Sequence, residues 1–366
     1  MNYYEFLRND ASYIDDVSRV CALHLPWWSL DKKRVLLTGA SGMIGTFLVD
    51  VLHYITMIYF LKIEVVAVGR DTQKLVERFS AYMNQPWFCL ITHDVNMLIP
   101  ELGRFDYIIH AASNTHPLVY AHDAIGTILT NILGTRNLLD YGICHDVERF
   151  VFLSSVEIYG ENRGDVDKFD EQYCGYIDCN TLRAGYPESK RVGESLCQAY
   201  RHQHNLDFSV LRLCRVFGPT VQHSDSKAIA QFIFDAVANR DILLKSEGFQ
   251  YYSYLYVADA VSALLAVVLK GEAGHAYNAS SDDSNITLRE LASVVAEAVG
   301  TNVTYDFSEH PEAAGYSKAT NAILDSSKIC TLGWEANTNI RDGIRRTVEM
   351  LRRYMQYPFT SCSSRE

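Results

Sequence analysis

The alternation of buried-strand and helix patterns is the feature that most constrains the fold of this chain. Residues 34–39, "RVLLTG", form a continuous apolar run that ends in glycine, which is typical of a strand covered on both faces of a parallel sheet. Strand and helix patterns then alternate through the first half of the chain. This order predicts an α/β fold, a Rossmann-type doubly wound parallel sheet. The expected strands are 34–39, 64–69, 88–95, 107–113 and 149–155, and the expected helices are 43–58, 72–83 and 122–142.

A glycine-rich turn, "TGASGMIG" at 38–45, joins the first strand to the first helix of this pattern. Gly39 allows a tight turn, Gly42 lets main-chain N–H groups approach a pyrophosphate, and Gly45 lets the helix pack closely on the strand. A glycine triplet placed after the first strand of a βαβ pattern predicts a dinucleotide site. The candidate cofactor contacts in this turn are Gly39, Ser41, Gly42, Met43, Ile44 and Gly45.

The second half of the chain has a less regular pattern. A strand entering a loop is expected at 208–219, a helix at 224–241, a strand and helix at 252–271, and a helix at 286–300 that Thr287 and Glu290 begin as a capping box. These elements predict a smaller C-terminal lobe that closes over a substrate. The expected segments are an N-terminal helical extension (1–33), an NAD(P)-binding Rossmann domain (34–180), remaining Rossmann elements interleaved with the substrate-binding lobe (181–357) and a tail (358–366).

Composition argues against several classes of partner. Lys and Arg total 33 against 44 Asp and Glu, a net charge of −11 without a basic run, so we expect no nucleic acid partner. The most apolar region, 47–68, carries Asp50, His53, Lys62 and Glu64, too many polar groups for a bilayer span, so we expect no membrane partner. The nine scattered cysteines lack metal-ligand spacing, and the N-terminus lacks the pattern of a secretory signal. We therefore expect a cytoplasmic protein without a metal site.

The residue after the second strand bears on the choice of cofactor. This strand ends in "VGRD", where an acidic residue would favour the ribose hydroxyls of NAD. Arg70 suits the 2′-phosphate of NADP, although it could also stack on adenine beside either cofactor. The cofactor is therefore NAD or NADP. Asp94 is expected near the adenine edge, with a solvated loop carboxylate as the equal alternative.

Five motifs in order carry a family resemblance: "TGASGMIG", "HAAS" (110–113), Asn131 to Thr135, "SSVEIYG" (154–160) and "YPESK" (186–190). With them the chain, over residues 34–350, resembles the extended short-chain dehydrogenase/reductases of the NAD-dependent epimerase/dehydratase family, which modify nucleotide sugars. The resemblance implies a nucleotide-sugar substrate and a homodimer paired through helices near 122–142 and 187–204. It also implies cofactor contacts from Val95, Ala111, Ala112, Ser113, Asn131, Tyr186 and Lys190, with Ser113 also facing the substrate.

Tyr186 and Lys190 are four residues apart and would share one face of a helix. A nearby ammonium group favours tyrosinate and lowers a phenol pKa that starts at about 10. By resemblance, Tyr186 is the catalytic base, Lys190 tunes it or holds the nicotinamide ribose, and Ser155 hydrogen-bonds the substrate oxygen. Pro187 disfavours a deep helical position, so the helix is expected to start near Tyr186.

The reaction depends on Glu157, two residues after Ser155. The chain is similar here to UDP-glucuronate decarboxylases, which also place an arginine, here Arg183, three residues before the tyrosine. Dehydratases carry an Asp where this chain has Val156, and simple 4-epimerases generally lack the Glu. The resemblance thus favours decarboxylase-like chemistry that begins with oxidation at C4, with Arg183 on a carboxylate or a phosphate. A buried structural acceptor is the alternative for Glu157, and a surface arginine is the alternative for Arg183.

Two departures from the family pattern concern substrate binding. Tyr252 stands where relatives often carry a phosphate-binding arginine, and Arg215 stands where many carry asparagine. We expect Arg215, Gln250 and Tyr252 to line the substrate site. With Arg70, these departures leave an NADPH-dependent reductase of a nucleotide-linked keto sugar as an alternative. A non-catalytic dinucleotide sensor is a further alternative.

Overall fold

The central feature of the computed structural model, which describes residues 2–308 and 319–357, is a seven-stranded parallel sheet. The strands of the chain are β1 (Arg34–Thr38), β2 (Glu64–Gly69), β3 (Phe88–Thr92), β4 (Tyr107–His110), β5 (Arg149–Ser155), β6 (Phe208–Leu213), β7 (Arg215–Phe217), β8 (Ile242–Leu244), β9 (Tyr251–Tyr256), β10 (His275–Ala279), β11 (Asn285–Thr287), β12 (Val303–Tyr305) and β13 (Asn321–Ala322). The sheet order is β10-β6-β5-β4-β1-β2-β3, with every pair parallel. The predicted doubly wound sheet is therefore confirmed, although β3 and β4 end three residues earlier than the sequence suggested. The predicted tail, 358–366, lies outside the described residues.

Helices cover the sheet and build the second half of the molecule. They are α1 (Tyr3–Leu7), α2 (Ala11–Cys21), α3 (Met43–Tyr59), α4 (Thr72–Phe79), α5 (Pro117–His122), α6 (Ala124–Leu129), α7 (Thr135–Cys144), α8 (Gly185–His204), α9 (Ala228–Val237), α10 (Val257–Lys270), α11 (Leu288–Glu297), α12 (Ser327–Cys330) and α13 (Ile340–Gln356). The predicted capping box is present, since Thr287 accepts from the Glu290 N–H and the Glu290 side chain accepts from the Thr287 N–H. Gly300, with φ +74°, closes the turn that follows α11.

The long helix predicted near 122–142 is present as one helical run over residues 124–144, with a separate short helix, α5, before it. Asp123 leaves the helical region (φ −135°, ψ 59°) and its carboxylate accepts from the Gly126 N–H at 3.0 Å, so it ends α5 and caps α6. A π-helical segment, Thr130–Gly134, then separates α6 from α7. The other predicted helices are present with shorter or shifted ends: the last turn expected in 72–83 is a 3₁₀ segment, and α9 is shorter than 224–241.

The N-terminal extension is helical as predicted, and buried carboxylates attach it to both halves of the molecule. Asp50 of α3 accepts from Arg8 Nε at 2.7 Å and from the Tyr13 hydroxyl at 2.5 Å. Asp16 of α2, which is fully buried, accepts from the Tyr256 hydroxyl at 2.6 Å. Each buried carboxylate is thus hydrogen-bonded, as its low exposure requires.

The smaller sheet of the C-terminal half is built around β9. It pairs with β7 and β13 in parallel and with β11 in antiparallel orientation. β7 follows β6 after a single residue, so the small sheet begins directly at the edge where the large one ends. This connection brings side chains of the second sheet to the carboxyl ends of the parallel strands.

The most apolar stretch of the sequence lies inside the fold. Residues 47–68 form most of α3 and nearly all of β2, and the segment from Phe47 to Leu52 is buried. Among the helices of residues 2–308 and 319–357, none combines the length and apolar character that crossing a bilayer requires.

Candidate active site

A cleft of about 860 Å³ opens at the carboxyl ends of the parallel strands. Its walls include the glycine-rich turn after β1, the loop after β4, the end of β5 and the start of α8. β1 lies between β4 and β2, so the cleft occupies the point where the strand order reverses. Open α/β sheets bind their ligands at this point.

The glycine-rich turn has the geometry that a pyrophosphate requires. Gly39 has φ +69°, and a Cβ there would lie 2.6 Å from main-chain atoms of Ala111. A Cβ on Gly45 would lie 2.6 Å from the Ala40 oxygen, so α3 packs against the turn only with glycine present. Gly42 begins α3 without a side-chain cap, which leaves the first N–H groups of the helix for a ligand. Ser41, Met43 and Ile44 complete this wall of the cleft.

The end of the cleft near β2 contains only part of the predicted adenosine contacts. Arg70 and Val95 line the cleft, and Arg70 Nη2 donates to Asn114 Oδ1 at 2.9 Å. Asp94 is not among the lining residues, and its carboxylate accepts from the Asn96 N–H at 3.0 Å. Asp71 caps α4 by accepting from the Lys74 N–H. Arg70 and Asp71 therefore both line this end of the cleft, and the Asp71 carboxylate also caps α4.

Tyr186 and Lys190 lie on the first turns of α8, which starts one residue before Tyr186 as the proline predicted. Both are buried, and both line the cleft. Lys190 Nζ donates to the Leu153 carbonyl at 2.8 Å and lies 4.6 Å from the centre of the Phe152 ring. Ser155 ends β5 at the same wall, and its hydroxyl accepts from the Glu157 N–H at 3.3 Å. The end of β5 and the start of α8 thus place Ser155, Tyr186 and Lys190, the three residues to which the resemblance assigns catalysis, in the same cleft.

Burial controls the protonation of Lys190. Removal of the ammonium group from water lowers the pKa of Lys190 to about 7, against an opposing effect of Glu194. The neighbouring His110 is also buried, and burial together with the charge of Lys190 lowers the pKa of His110 to about 3. His110 is therefore neutral, and its ring nitrogens lie 2.8 Å from Thr38 Oγ1 and 3.1 Å from Thr135 Oγ1.

This lowered pKa predicts a pH-dependent stability. Between about pH 7 and pH 10 the unfolded chain holds a proton on Lys190 that the folded chain has lost, so the free energy of unfolding should rise with pH, by up to about 1.4 kcal/mol per pH unit. Denaturant unfolding of the apoprotein across this range measures the slope. In Lys190→Met this contribution should vanish, whereas the exposed-site control Lys62→Met should keep it. An unchanged slope in Lys190→Met would contradict the assignment.

Asn131 connects the loop after β4 to the start of α8. Ser113 Oγ donates to Asn131 Oδ1 at 2.8 Å, and Asn131 Nδ2 donates to Ser189 Oγ at 2.9 Å. Ser189 Oγ in turn donates to the Tyr186 carbonyl at 2.9 Å. Asn131 is fully buried in the π-helical segment, so it acts on the cleft through these neighbours. Ser113, Ala111 and Ala112 lie on the cleft wall itself.

Two arginines share the carboxylate of Glu157 beside Tyr186. Arg183 Nη2 donates to Glu157 Oε2 at 2.8 Å, and Arg215 Nη2 lies 3.6 Å from Glu157 Oε1. The Arg215 guanidinium stacks at 3.4 Å from the centre of the Tyr252 ring. The Tyr252 hydroxyl donates to the Ala319 carbonyl at 2.7 Å, and burial raises the pKa of Tyr252. Within the part of the chain that the structure describes, two guanidinium groups thus face this one carboxylate in the cleft.

Gln250 and a cluster of three charged or titratable side chains also line the cleft. Gln250 shares the wall that carries Tyr252. His116 Nδ1 lies 3.1 Å from Asp225 Oδ1, and Lys227 Nζ lies 3.1 Å from the other oxygen of that carboxylate. Burial alone would raise the pKa of Asp225. The charge of Lys227 and the contact with His116 outweigh burial and hold this pKa below its usual range. Sequence reasoning missed this cluster because its members come from loops that are distant in the chain and carry no motif.

Comparison with known proteins identifies the family. Residues 35–280 match the model of the NAD dependent epimerase/dehydratase family. The chain belongs to this family. The predicted family is therefore confirmed, and the match includes the glycine-rich turn.

Curated relatives of this family member include decarboxylases. It is 30% identical over 313 residues to UDP-glucuronic acid decarboxylase 6 of Arabidopsis thaliana, covering 85% of this chain and 86% of the relative. It is 29% identical over 334 residues to UDP-glucuronic acid decarboxylase 1 of Xenopus tropicalis, covering 89% of this chain and 74% of the relative.

Solved structures share the fold. A dTDP-glucose 4,6-dehydratase of Streptomyces venezuelae, solved with NAD, has a TM-score of 0.76 at 24% identity, covering 88% of this chain and 98% of that one. A UDP-glucuronic acid 4-epimerase of Bacillus cereus, also solved with NAD, has a TM-score of 0.75 at 19% identity, covering 88% of this chain and 99% of that one. Members with different reactions thus share one architecture, so the reaction has to be argued from the site.

Proposed function

We propose that the protein is an NAD-dependent nucleotide-sugar decarboxylase that acts on a nucleotide-linked hexuronate such as UDP-glucuronate. The observation that carries this proposal is the Arg183–Glu157–Arg215 cluster beside Tyr186 in the cleft. The decarboxylase relatives support it. In this proposal residues 34–180 hold the cofactor, and residues 181–357 supply the substrate lobe together with the last strands of the sheet.

NAD would be held by the glycine-rich turn, the loop after β4 and Lys190. When bound, it supplies the chemistry of accepting a hydride from a sugar carbon and returning it. The crowded main chain around Gly39 fits such a cofactor, because Gly39 has no room for a larger residue and the first turn of α3 has no side-chain cap. NAD is the cofactor of the family, and the contact of Arg70 with Asn114 gives the arginine a structural role beside either cofactor.

Tyr186 and Ser155 would handle the proton at C4. As phenolate, Tyr186 takes the proton of the C4 hydroxyl while Ser155 donates a hydrogen bond to the same oxygen. Burial lowers the pKa of Lys190 to about 7, so both protonation states are populated near neutral pH; the protonated form favours the phenolate by its charge, and the Leu153 carbonyl keeps Nζ in place. The Asn131–Ser189 contacts fix the first turn of α8 and with it the position of the phenol.

The arginine pair would hold the carboxylate that is lost. Oxidation at C4 gives a ketone β to the C5 carboxylate, so the C–C bond can break with its electrons passing to the ketone oxygen and CO₂ leaving. The resulting enolate takes a proton from water at C5, and C4 is then reduced while Tyr186 returns its proton to the C4 oxygen. Arg183 and Arg215 can bind the carboxylate through charge-assisted hydrogen bonds, and Glu157 orients both guanidinium groups.

The test is a substrate panel with carbon balance. Purified protein is supplied with UDP-, dTDP-, GDP- and CDP-linked hexuronates, and CO₂, the sugar product and nicotinamide reduction are measured together. We expect one CO₂ for each pentose formed, without net consumption of cofactor. A six-carbon product would contradict decarboxylation, and stoichiometric use of NADPH would instead support the reductase alternative.

We also propose a homodimer that pairs through α6, α7 and α8. Ile125, Leu129 and Leu133 follow a four-residue spacing and expose their apolar side chains, and Val192 of α8 is exposed as well. An apolar helix face of this kind is typical of a subunit interface. Sedimentation velocity should give about twice the chain mass of 41.4 kDa, and Leu133→Glu should give a monomer. A wild-type monomer at micromolar concentration would contradict the pairing.

The proposed compartment is the cytoplasm. The eight cysteines of the described residues are all unpaired, as expected in a reducing compartment. Cell fractionation with a tagged chain tests this, and recovery with a membrane or secreted fraction would contradict it.

A further inference from the structure

One loop connects the N-terminal extension to the glycine-rich turn by hydrogen bonds on both of its sides. This loop, residues 218–222, follows β7, and the Tyr3 hydroxyl of α1 donates to its Pro219 carbonyl at 2.6 Å in a buried contact. On its other side, Thr220 Oγ1 donates to the Met43 carbonyl at 2.9 Å, and Gln222 Nε2 donates to the Ser41 carbonyl at 3.1 Å. The 218–222 loop therefore lies between the extension and the turn.

Arg78 of α4 adds a buried cation at the same junction. Its Nη1 donates to Thr46 Oγ1, on the first turn of α3, at 2.8 Å and lies 3.3 Å from the Thr220 carbonyl. The guanidinium carbon lies 4.3 Å from the centre of the Tyr4 ring. Arg78 is 3% exposed, and among the described residues no carboxylate lies within ion-pair distance of it. A buried cation with only neutral partners favours an anion near the start of α3.

We propose that the N-terminal extension is a positioning element of the dinucleotide site. Tyr3 and Arg78 hold the 218–222 loop against the glycine-rich turn, and so keep the N–H groups at the start of α3 arranged for the pyrophosphate before it binds. This inference rests on one part of the proposed function, the binding of a dinucleotide in the cleft. A purely structural role for the extension would instead leave dinucleotide affinity untouched.

Two matched tyrosine variants separate these roles. Tyr3→Phe removes the hydroxyl that reaches the 218–222 loop. Tyr59→Phe removes a hydroxyl that donates to the Cys21 carbonyl at 2.8 Å, again between the extension and the Rossmann domain but without contact to the loop. NAD affinity is measured by calorimetry, and the melting temperature of each apoprotein is recorded. We expect the NAD Kd to rise about fivefold in Tyr3→Phe and to stay at the wild-type value in Tyr59→Phe.

A double-mutant cycle tests whether the effect passes through the loop. Thr220→Val removes the contact with Met43, and combined with Tyr3→Phe it should weaken NAD binding no more than the more damaging single change. Equal Kd values in Tyr3→Phe and Tyr59→Phe, or fully additive effects in the cycle, would overturn the inference. A wild-type protein that binds no dinucleotide would overturn the proposed function itself. An NAD Kd that is the same in the wild type and in Tyr3→Phe would overturn the inference alone.

Discussion

Replacing Tyr186 by phenylalanine should lower turnover about 10³-fold while leaving NAD affinity unchanged. The change removes the oxygen that takes the C4 hydroxyl proton and keeps the ring that fills its buried place on α8. Lys190 remains hydrogen-bonded to Leu153, so the cofactor wall stays in position. The measurement pairs kcat on the decarboxylated substrate with a calorimetric Kd for NAD.

The control for this variant is Tyr176→Phe, which loses the same atom from an exposed side chain outside the cleft lining. It should keep wild-type turnover. If Tyr186→Phe retained turnover within a factor of about ten, below the usual contribution of a general base, Tyr186 would be excluded as the proton acceptor. A wild-type protein that binds NAD and turns over no substrate in the panel would favour the sensor alternative.

Glu157→Gln should separate the two halves of the reaction. The substitution keeps the shape of the side chain and removes the charge that Arg183 and Arg215 share. The arginines then lose the anion that orients them, so CO₂ release should fall by at least about 100-fold, the scale of losing one preorganised electrostatic contact. Oxidation at C4 depends on Tyr186 and Ser155, so reduced nicotinamide should still form when substrate is added.

Single-turnover absorbance and CO₂ capture measure these two steps on the same sample. Glu161→Gln is the matched control, because Glu161 follows the same strand and lies outside the cleft lining. It should support both steps at wild-type rates. Equal loss of oxidation and of CO₂ release in Glu157→Gln would contradict the role given to Glu157.

Local patterns predicted the parts of the site that a short segment determines. The glycine spacing around Gly42 predicts one kind of turn. The apolar run before Ser155 predicts a buried strand, and ligands bind at the carboxyl end of such a strand. Tyr186 and Lys190 share a face because helix geometry places residues four apart together. These features follow from neighbours in sequence, so one sequence is enough to expect them.

Contacts between distant segments could not be predicted in the same way. Arg215 stacks on Tyr252 because β7 pairs with β9. The sequence of neither strand predicts which strand it pairs with. The contact between His116 and Asp225 in the cleft lining is of the same kind. The π-helical segment Thr130–Gly134 was not predicted because the same helical pattern runs through it, and helix α5, which Asp123 separates from α6, was also not predicted.

The central claim, that this cleft oxidises C4 and then removes the neighbouring carboxylate, is tested most directly with carboxyl-labelled UDP-glucuronate in a single turnover on the NAD-loaded enzyme. We expect a transient rise of reduced-nicotinamide absorbance followed by release of the label as CO₂, with the absorbance returning to its starting value as the pentose forms. Label that stays with the sugar while the absorbance rises and falls would contradict the claim and leave epimerisation as the reaction.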